Sequence, residues 1–193
     1  HEEVFRWNTI VHTRTGAIGS ATSFDAYGYP WANVGNTPYR LFKSYTTEGG
    51  FASPFIAWFP GRVKAGSILH TPAHVMDIMH TCLQLAGRPY PAAYKGNTIA
   101  PSDGLSLWPL LTGKPWQGHK MLCWEHENSK AIWQDGWKLV QQRDEKTWQL
   151  YHLDKDRSEL QPVQDKYPER VKAMQAAYAA WAQRVGVAED INT

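Results

Sequence analysis

The sequence has very few cysteines and none of the short motifs that mark the commonest hydrolase classes. Only two cysteines, Cys82 and Cys123, occur in 193 residues, which is too few for a disulfide framework. Because Cys82 falls on the apolar face of a predicted helix and Cys123 in a predicted strand, we expect two separate buried thiols. The absence of a G-x-S-x-G nucleophile elbow and of a glycine-rich phosphate loop argues against a serine hydrolase and a P-loop enzyme.

Charge of one sign and long apolar runs are scarce as well. The chain has 20 Lys and Arg against 18 Asp and Glu, a formal net charge of +2, and no run of like charge. We therefore expect no nucleic-acid partner. No apolar run approaches the roughly 18 residues of a membrane span, so we expect no membrane partner. Residues 1–11 lack the basic and apolar regions of a signal peptide.

Tryptophan, in contrast, is abundant. Ten Trp occur in a chain that is 42% hydrophobic, which is enough for a sizeable core. Trp is frequent both in cores and where sugars are held, so composition alone does not separate these roles. Large cross-strand aromatic pairs account for four of the Trp, which we assign to the packing of a sheet against a helix: Trp133, Trp137, Trp148 and Trp181.

The first half of the chain has the pattern of an α/β layer. Residues 24–38 contain Gly and Pro every few positions, which favours irregular structure. Residues 39–45 are predicted to form a short helix. Residues 55–59 are an apolar run suited to a strand buried on both faces. Residues 71–86 are predicted to form a helix with Thr71 as its N-cap and a broad apolar face.

The second half has the pattern of an antiparallel sheet followed by a long helix. The turn signal Asp135–Gly136 predicts a hairpin. A helix is predicted over residues 168–187, because its apolar residues recur at spacings of three and four and form one stripe. The predicted strands lie at residues 121–124, 130–133, 137–141 and 148–153.

The segment 31–50, WANVGNTPYRLFKSYTTEGG, resembles the part of type I, formylglycine-dependent sulfatases (the arylsulfatase family) that carries a sulfate-binding lysine. The matching residues are Trp31, Ala32, Asn33, Asn36, Thr37, Pro38, Arg40, Lys43, Glu48, Gly49 and Gly50. The resemblance covers about residues 23–193, and the order and spacing of its pieces make it specific. Further matches include Thr71-Pro72, His74, Asp77, Asp103-Gly104, Trp124-Glu125-His126, Gly136-Trp137-Lys138-Leu139 and Leu150-Tyr151.

The resemblance implies an α/β fold with two parts. Residues 1–116 would be the end of an alkaline-phosphatase-like α/β/α domain, which is incomplete here. Residues 117–193 would be a C-terminal subdomain, a small antiparallel sheet packed on a long helix. The resemblance also implies a periplasmic or secreted protein, although the residues themselves do not fix the compartment.

The family's nucleophile signature, Cys-x-Pro-Ser-Arg or Ser-x-Pro-x-Arg, does not occur in this chain. In the family, the Cys or Ser of that signature becomes formylglycine, and the calcium-binding acidic clusters lie upstream of the matched region. We therefore interpret the chain as the C-terminal part of a sulfatase, with the missing N-terminal catalytic half as its partner. Calcium is the expected cofactor, held in that half, and we assign neither a catalytic residue nor a metal ligand to this chain.

Lys43 is the sharpest candidate for a functional residue. A sulfate ester keeps its negative charge, so its hydrolysis needs cations around the sulfate oxygens. A lysine ammonium supplies a compact charge with three donors, although most lysines are solvated surface residues. The resemblance assigns the contact with sulfate to Lys43. Arg40 could share this role or pair with Glu48 or another carboxylate, and we expect Glu48 to cap or orient the loop before Gly49-Gly50.

Four more residues are candidates for the substrate pocket. Trp31 and Asn33 lie in the same segment and could form a pocket wall or pack within the loop. Glu125 and His126 end a predicted strand, and in the family the corresponding loop lies near the mouth of the active site. They could therefore influence substrate choice, or be the solvated end of a strand.

The densest metal-like spacing is that of His70, His74, Asp77 and His80. On a helix, Asp77 neighbours both His74 and His80, but those two histidines point about 120° apart. Either His–Asp pair is two ligands short of a metal site. We therefore expect hydrogen-bonded structural histidines here.

For the whole protein, the resemblance implies hydrolysis of sulfate esters, either aryl or carbohydrate sulfates. We predict that the 193 residues alone are inactive. One alternative is a phosphoester or phosphonate hydrolase of the same superfamily. The other is a non-catalytic, Trp-rich module that binds sulfated glycans.

Overall fold

The computed structural model describes residues 28–188. Their contacts group into two compact units. The first, which we call the sheet unit, comprises residues 28–52 and 123–188, and the second, the helix–loop unit, is Ser53–Leu122. This grouping joins the segment around Lys43 to the C-terminal sheet, although the two are distant in sequence. The domain division at 116/117 of the complete protein stays a prediction.

The secondary structure consists mainly of short elements and one long helix. The helices are α1 (Tyr29–Gly35), α2 (Glu48–Phe51), α3 (Met76–Leu85), α4 (Trp108–Leu111) and α5 (Pro168–Val185), with a 3-10 turn at Gln164–Lys166. The strands are β1 (Ala93–Tyr94), β2 (Asn97–Thr98), β3 (Met121–His126), β4 (Ser129–Gln134), β5 (Trp137–Gln141) and β6 (Gln149–His152). No helix within residues 28–188 is long and apolar enough to span a membrane.

The C-terminal sheet is antiparallel, with strand order β3-β4-β5-β6, and the predicted strands and hairpin are confirmed. Ile132 pairs with Leu139, which pairs in turn with Leu150, and all three are fully buried. The β4–β5 turn uses Asp135 and Gly136 at φ 50° and 76°. Positive φ at both turn residues matches the right-handed twist of a hairpin, which is why this dipeptide predicted it.

The predicted C-terminal helix and its apolar stripe are confirmed by α5. Met174 and Tyr178 are the buried residues of this helix. The helix ends at Gly186, whose left-handed conformation (φ 74°, ψ 38°) suits glycine. The four Trp assigned to this core lie at its half-buried rim instead, because smaller aliphatic residues of β4, β5 and β6 fill the centre. Trp148 and Trp181 each contact the Tyr178 ring at a centroid distance of 5.5 Å.

Two expectations about the segment before α2 are wrong. Residues 39–45 form turns and bends rather than a helix, and the helix in this part of the chain is α1, where irregular structure was expected. Pro30 occupies the first turn of α1, where a missing N–H costs nothing. Leu41 and Ser44 have φ values of 63° and 80°, which are incompatible with a right-handed helix.

The helix–loop unit differs most from the sequence-based expectations. Residues 55–59 form no strand and are largely exposed, with Ile56 at 89% and Trp58 at 85%. A strand needs a hydrogen-bonded neighbour, and the strands that lie wholly within this unit are the two-residue β1 and β2, which pair with each other. The helix predicted from residue 71 begins at Met76, so Thr71 is not its N-cap.

The apolar face of α3 is exposed, and the only buried residue of this helix is the acidic Asp77. Val75, Ile78 and Met79 have exposed fractions of 73%, 42% and 58%. Cys82 lies on the same face and is therefore an exposed free thiol rather than the buried one expected. Cys123, in β3, is also free, and burial raises the pKa of its thiol to about 12.

Candidate functional site

Lys43 lies at the exposed tip of a tight loop in the sheet unit, which we call the Lys43 loop (residues 39–47). Residues on both sides of the lysine, Leu41 and Ser44, have positive φ values. Such backbone conformations are uncommon for non-glycine residues and persist where the surroundings hold them. Within residues 28–188, no carboxylate pairs with the Lys43 ammonium. A cation is thus presented to solvent by a constrained backbone.

Helix α1 braces the loop through two asparagines. The Asn33 side-chain oxygen accepts a hydrogen bond from the Leu41 N–H at 2.8 Å. The Asn36 side-chain amide donates to the Leu41 carbonyl oxygen at 3.0 Å. Together they satisfy both backbone polar groups of the residue with positive φ. Asn33 therefore has a role in packing the loop, and its contact with substrate stays a prediction, as does that of Trp31, whose side chain is 68% exposed.

The two glycines of α2 allow its backbone to lie against the loop. A Cβ added to Gly49 would overlap the Arg40 carbonyl oxygen, and one added to Gly50 would overlap that of Tyr45. These carbonyls precede and follow Lys43. Glycine is required at both positions because of this close approach of two backbone segments rather than because of a turn.

Aromatic residues hold the loop on another side. The Phe42 ring lies between Tyr29 and Tyr45, with centroid distances of 4.8 and 5.4 Å and edge-to-face geometry. The Arg143 guanidinium lies 6.0 Å from the centre of the Tyr45 ring and forms an ion pair with Glu127 in the β3–β4 turn. Burial, with a smaller effect of Tyr29, raises the pKa of Tyr45, and Arg143 partly offsets this rise.

Two buried threonines connect the loop to the sheet. The Thr46 hydroxyl donates to the Lys130 carbonyl oxygen at 3.2 Å, and its N–H donates to the Gln142 side-chain oxygen at 3.3 Å. The Thr47 hydroxyl donates to the Arg40 carbonyl oxygen at 2.9 Å. The loop is thus closed on itself by Thr47 and attached to the sheet by Thr46.

A buried cluster of charges follows directly in the chain. Lys138 Nζ lies 2.9 Å from Glu48 Oε1 and 2.8 Å from Glu159 Oε1. The contact between Lys138 and Glu159 is an ion pair and not a hydrogen bond, because its donor and acceptor angles fall outside hydrogen-bond geometry. Glu159 Oε2 accepts a hydrogen bond from the Glu48 N–H at 2.8 Å, and Arg157 Nε donates to Glu48 Oε2 at 3.4 Å. Lys138 and Glu159 are fully buried and Glu48 is 5% exposed. The role expected for Glu48 in capping or orienting the loop stays a prediction.

Arg40 does not pair with Glu48, which is occupied by Lys138 and Arg157. Its guanidinium lies 5.9 Å from the centre of the Tyr151 ring. Burial raises the pKa of Tyr151 to about 12, and the nearby Arg40 partly offsets this rise. A contact between Arg40 and sulfate stays a prediction.

Glu125 and His126 are exposed at the end of β3, as expected for a strand end before a turn. Glu125 Oε1 accepts a hydrogen bond from the Asn128 N–H at 2.8 Å, which supports the turn. Glu127 and Asn128 complete the turn with φ values of 48° and 66°. The influence of Glu125 and His126 on substrate choice stays a prediction.

Three histidines of the helix–loop unit, His74, His80 and His119, take part in hydrogen bonds, whereas His70 is exposed. The buried Asp77 carboxylate accepts from the His74 N–H and the Leu105 N–H, each at 2.8 Å, and lies 2.8 Å from His119 Nε2. His80 Nε2 is 2.9 Å from the Ser102 hydroxyl. No group of three or more His, Cys, Asp or Glu suited to a metal lies within residues 28–188. Asp77 thus fixes the start of α3 to two later segments of this unit.

Sequence reasoning missed Lys138, Glu159 and Arg143. Lys138 lies in a matched motif, but Glu48, its partner, is 90 residues away in the chain. The available signal was a lysine between apolar residues of a predicted strand, since a buried lysine requires a partner. Nothing in the sequence pattern distinguishes Glu159 or Arg143 from surface charges.

Comparison with known proteins agrees with this geometry. The family model for the C-terminal region of N-sulphoglucosamine sulphohydrolase matches residues 39–182, which include the Lys43 loop, the sheet and most of α5. The chain therefore belongs to this family of sulfatase C-terminal regions.

Individual relatives are sulfatases that are much longer than this chain. An uncharacterized sulfatase of Schizosaccharomyces pombe is 29% identical over 185 residues, which are 88% of this chain and 32% of the relative. Human N-acetylgalactosamine-6-sulfatase is 41% identical over 76 residues, covering 39% of this chain and 13% of that protein. Arylsulfatase of Klebsiella aerogenes is 32% identical over 98 residues, covering 50% and 21%. The chain spans about a third of the length of the first of these relatives.

A solved structure supports the fold. The crystal structure of Ps i-CgsB superposes with a TM-score of 0.63 at 24% identity, covering 76% of this chain and 32% of the other. The predicted fold class, an α/β protein with a small antiparallel sheet and a C-terminal helix, is confirmed.

Proposed function

We propose that the chain is the C-terminal part of an enzyme that hydrolyses sulfate esters, and that Lys43 contacts the sulfate group of the substrate. The observation that carries this proposal is the Lys43 loop, whose braced backbone presents an ammonium that pairs with no carboxylate among residues 28–188. Rigid support is what distinguishes a binding cation from an ordinary surface lysine, because little conformational entropy is then lost on binding. The sulfatase relatives favour a sulfate over a phosphate ester.

The chemistry assigned to Lys43 is electrostatic. When the S–O bond of the ester breaks, negative charge moves toward the leaving oxygen. A cation held in place beforehand stabilises that charge without reorganising at the moment of reaction. The relatives include an N-acetylgalactosamine-6-sulfatase, an arylsulfatase and a human steryl-sulfatase, so the feature that their names share is the sulfate group rather than the leaving group.

The nucleophile and calcium are proposed to belong to the upstream half. Calcium takes six to eight oxygen ligands, mostly from carboxylates and carbonyls. Residues 28–188 offer no acidic cluster that fits this requirement. We therefore assign no step to calcium in this chain and propose that the 193 residues alone do not turn over sulfate esters.

The upstream half would also cover the apolar surface of the helix–loop unit. Ile56, Trp58, Ile68 and Val75 are each more than 70% exposed, and large exposed apolar side chains of this kind are what an interface would bury. The occupant we propose is the remainder of the same sulfatase, because the chain spans about a third of the Schizosaccharomyces pombe relative. The half-buried Trp of the sheet give no support to a glycan-binding module built on them.

The coding sequence upstream of His1 provides the first test. We expect the reading frame to continue into Cys-x-Pro-Ser-Arg or Ser-x-Pro-x-Arg, with an Asp-Asn pair shortly before His1. In that whole protein, Lys43→Ala should lower kcat/KM for an aryl sulfate by about 10²–10³-fold, the usual cost of losing one oxyanion contact. Lys155→Ala, at another exposed lysine of the sheet unit, is the matched control and should leave kcat/KM unchanged.

Two results would contradict the proposal. One is a stop codon or an unrelated domain directly upstream of His1. The other is hydrolysis of an aryl sulfate by the isolated 193-residue chain that disappears in Lys43→Ala, since the chain would then contain its own nucleophile.

A further inference from the structure

We propose that Lys138 is a positioning residue for sulfate binding, which acts by holding Glu48 and thereby fixing the Lys43 loop on the C-terminal sheet. The proposal rests on the sulfate-binding role proposed for Lys43. The C-terminal sheet would then contribute to sulfate binding indirectly, through Lys138, without touching the sulfate.

The charge cluster of Lys138, Glu48 and Glu159 is buried away from solvent. Lys138 lies on the central strand β5 with no exposed surface, enclosed by two carboxylates and by the Phe51 ring, whose centre is 3.9 Å from Nζ. Removing charges from water costs several kcal/mol per ion, so burial is tolerated only where the partners are well placed. Conversely, Lys138 constrains its partners, because a displaced carboxylate would leave a buried charge without compensation.

Glu48 is connected to the Lys43 loop through the two glycines that follow it. Glu48 is anchored twice, by its carboxylate to Lys138 and by its N–H to Glu159. The next two residues, Gly49 and Gly50, are in direct backbone contact with Arg40 and Tyr45 on either side of Lys43. A shift of Glu48 therefore moves the surface on which the loop rests.

Apolar packing alone does not specify the position of helix α2 on the sheet. Helix α2 is only four residues long, has no side-chain cap and contains two glycines, so its own stability is negligible. Its place on the sheet is set by the ion cluster, by the stacking of Phe51 on Trp124 at 4.3 Å and by the hydrogen bonds of the nearby Thr46 to the sheet. The ion cluster is the attachment that holds Glu48 itself.

Amide hydrogen exchange of the 193-residue chain, followed by NMR, tests this role in Lys138→Met, which keeps the length of the side chain and removes its charge. We expect the amides of Leu41, Thr46, Glu48 and Gly50 to exchange at least about tenfold faster, while those of the β4–β5 ladder change less than about threefold. Glu159→Gln, a milder change that keeps an oxygen for the Glu48 N–H, should accelerate the same amides to a smaller extent. Lys155→Met, at an exposed lysine outside the cluster, is the matched control and should match the wild type.

Titration with inorganic sulfate provides a readout that a purely structural role would not change. In the wild type, sulfate should shift the amide resonances next to Lys43, and Lys138→Met should weaken the apparent affinity by about tenfold, a difference of about 1.4 kcal/mol. Lys43→Ala should abolish the response while leaving loop exchange at the wild-type rate.

The positioning role is overturned if the loop amides of Lys138→Met and Glu159→Gln stay protected, or if loop and sheet amides accelerate by one common factor. A different result is also possible, in which sulfate shifts no amide resonance of the wild-type chain while the loop amides of the variants still exchange faster. It would refute the sulfate contact of Lys43 and retain Lys138 as the residue that positions the loop.

Discussion

At the scale of single residues, the site depends on residues that have no chemistry of their own. Gly49 and Gly50 contribute space, Asn33 and Asn36 satisfy a strained backbone, and Lys138 compensates buried charge. Each of these features supports one exposed ammonium. Such an arrangement is typical of a preorganised binding site, in which the supporting residues outnumber the one that touches the ligand.

The tight contact at Gly50 predicts a large effect of a single methyl group. Gly50→Ala should reduce the free energy of unfolding by about 3 kcal/mol. The new Cβ would overlap the Tyr45 carbonyl oxygen, which belongs to the backbone and cannot move aside as a flexible side chain would. Gly35→Ala is the matched control, since this glycine also lies in a short helix and has no atom within 4 Å of an added Cβ. It should be neutral or stabilise by about 0.5 kcal/mol. Urea denaturation measures both, and equal midpoints for the two variants would contradict the packing argument.

At the scale of secondary-structure elements, sequence patterns succeeded where an element is stabilised by its neighbours in sequence. Strands β4 and β5 are adjacent, their turn signal is local, and the period of α5 matches its single packed face. Residues 55–59 carry an equally apolar pattern, but a strand also needs a partner, and the helix–loop unit supplies none to them. Helix α1 escaped prediction because its Gly and Pro residues, which indicate turns, lie at its ends.

The sequence was enough to locate the candidate site at Lys43, but not to identify the distant residues that hold the Lys43 loop in place. The spacing around Lys43 and its resemblance to sulfatases located the loop, but the charged residues of the buried cluster beside it come from β5 and from the segment before α5. Glu159 is 111 residues from Glu48, and no local pattern reports a contact of that range. His74 and Asp77 form a hydrogen bond at the start of α3, whereas His80, in the middle of that helix, lies within hydrogen-bond distance of Ser102.

The start of α3 should lose stability in mild acid. Burial lowers the pKa of His74, with a smaller contribution from His119, and Asp77 acts in the opposite direction. His74 Nδ1 also accepts a hydrogen bond from the Met76 N–H at 3.3 Å, which the protonated ring could not do. With the folded pKa below the unfolded value of about 6.5, the unfolded chain binds more protons as the pH falls through that value, so stability decreases there.

Melting temperatures between pH 8 and pH 5 would measure this effect. His74→Gln should flatten the decrease, because the variant has no proton to take up at this position. His126→Gln, at an exposed histidine of β3, should retain the wild-type slope. Identical slopes in wild type and His74→Gln would exclude His74 as the source.

At the scale of the whole molecule, the two units differ in how they bury apolar residues. The sheet unit has a closed core, with Ala131, Val140 and Tyr151 essentially inaccessible to solvent. The helix–loop unit reverses the usual rule, because its helix α3 buries an acid and exposes its apolar face. This contrast predicts opposite consequences for substitutions of equal chemistry in the two units.

Replacing exposed apolar residues of the helix–loop unit should improve the isolated chain. The double substitution Ile56→Ser and Trp58→Ser should reduce the binding of a hydrophobic dye and the self-association measured by sedimentation, because both side chains are more than 80% exposed. It should change the free energy of unfolding by no more than about 0.5 kcal/mol. Ile132→Ala, at a fully buried position of β4, is the contrasting control and should cost about 2–5 kcal/mol.

The same double substitution should have the opposite effect in the whole protein, if its upstream half covers this surface. There the two side chains would be buried, and their replacement should cost several kcal/mol, as core truncations do. A substitution that is neutral in the chain and strongly destabilising in the whole protein would identify the apolar surface as an internal interface of one enzyme. Equal effects in both contexts would instead mean that this surface stays exposed, and that the helix–loop unit is not covered by the upstream half.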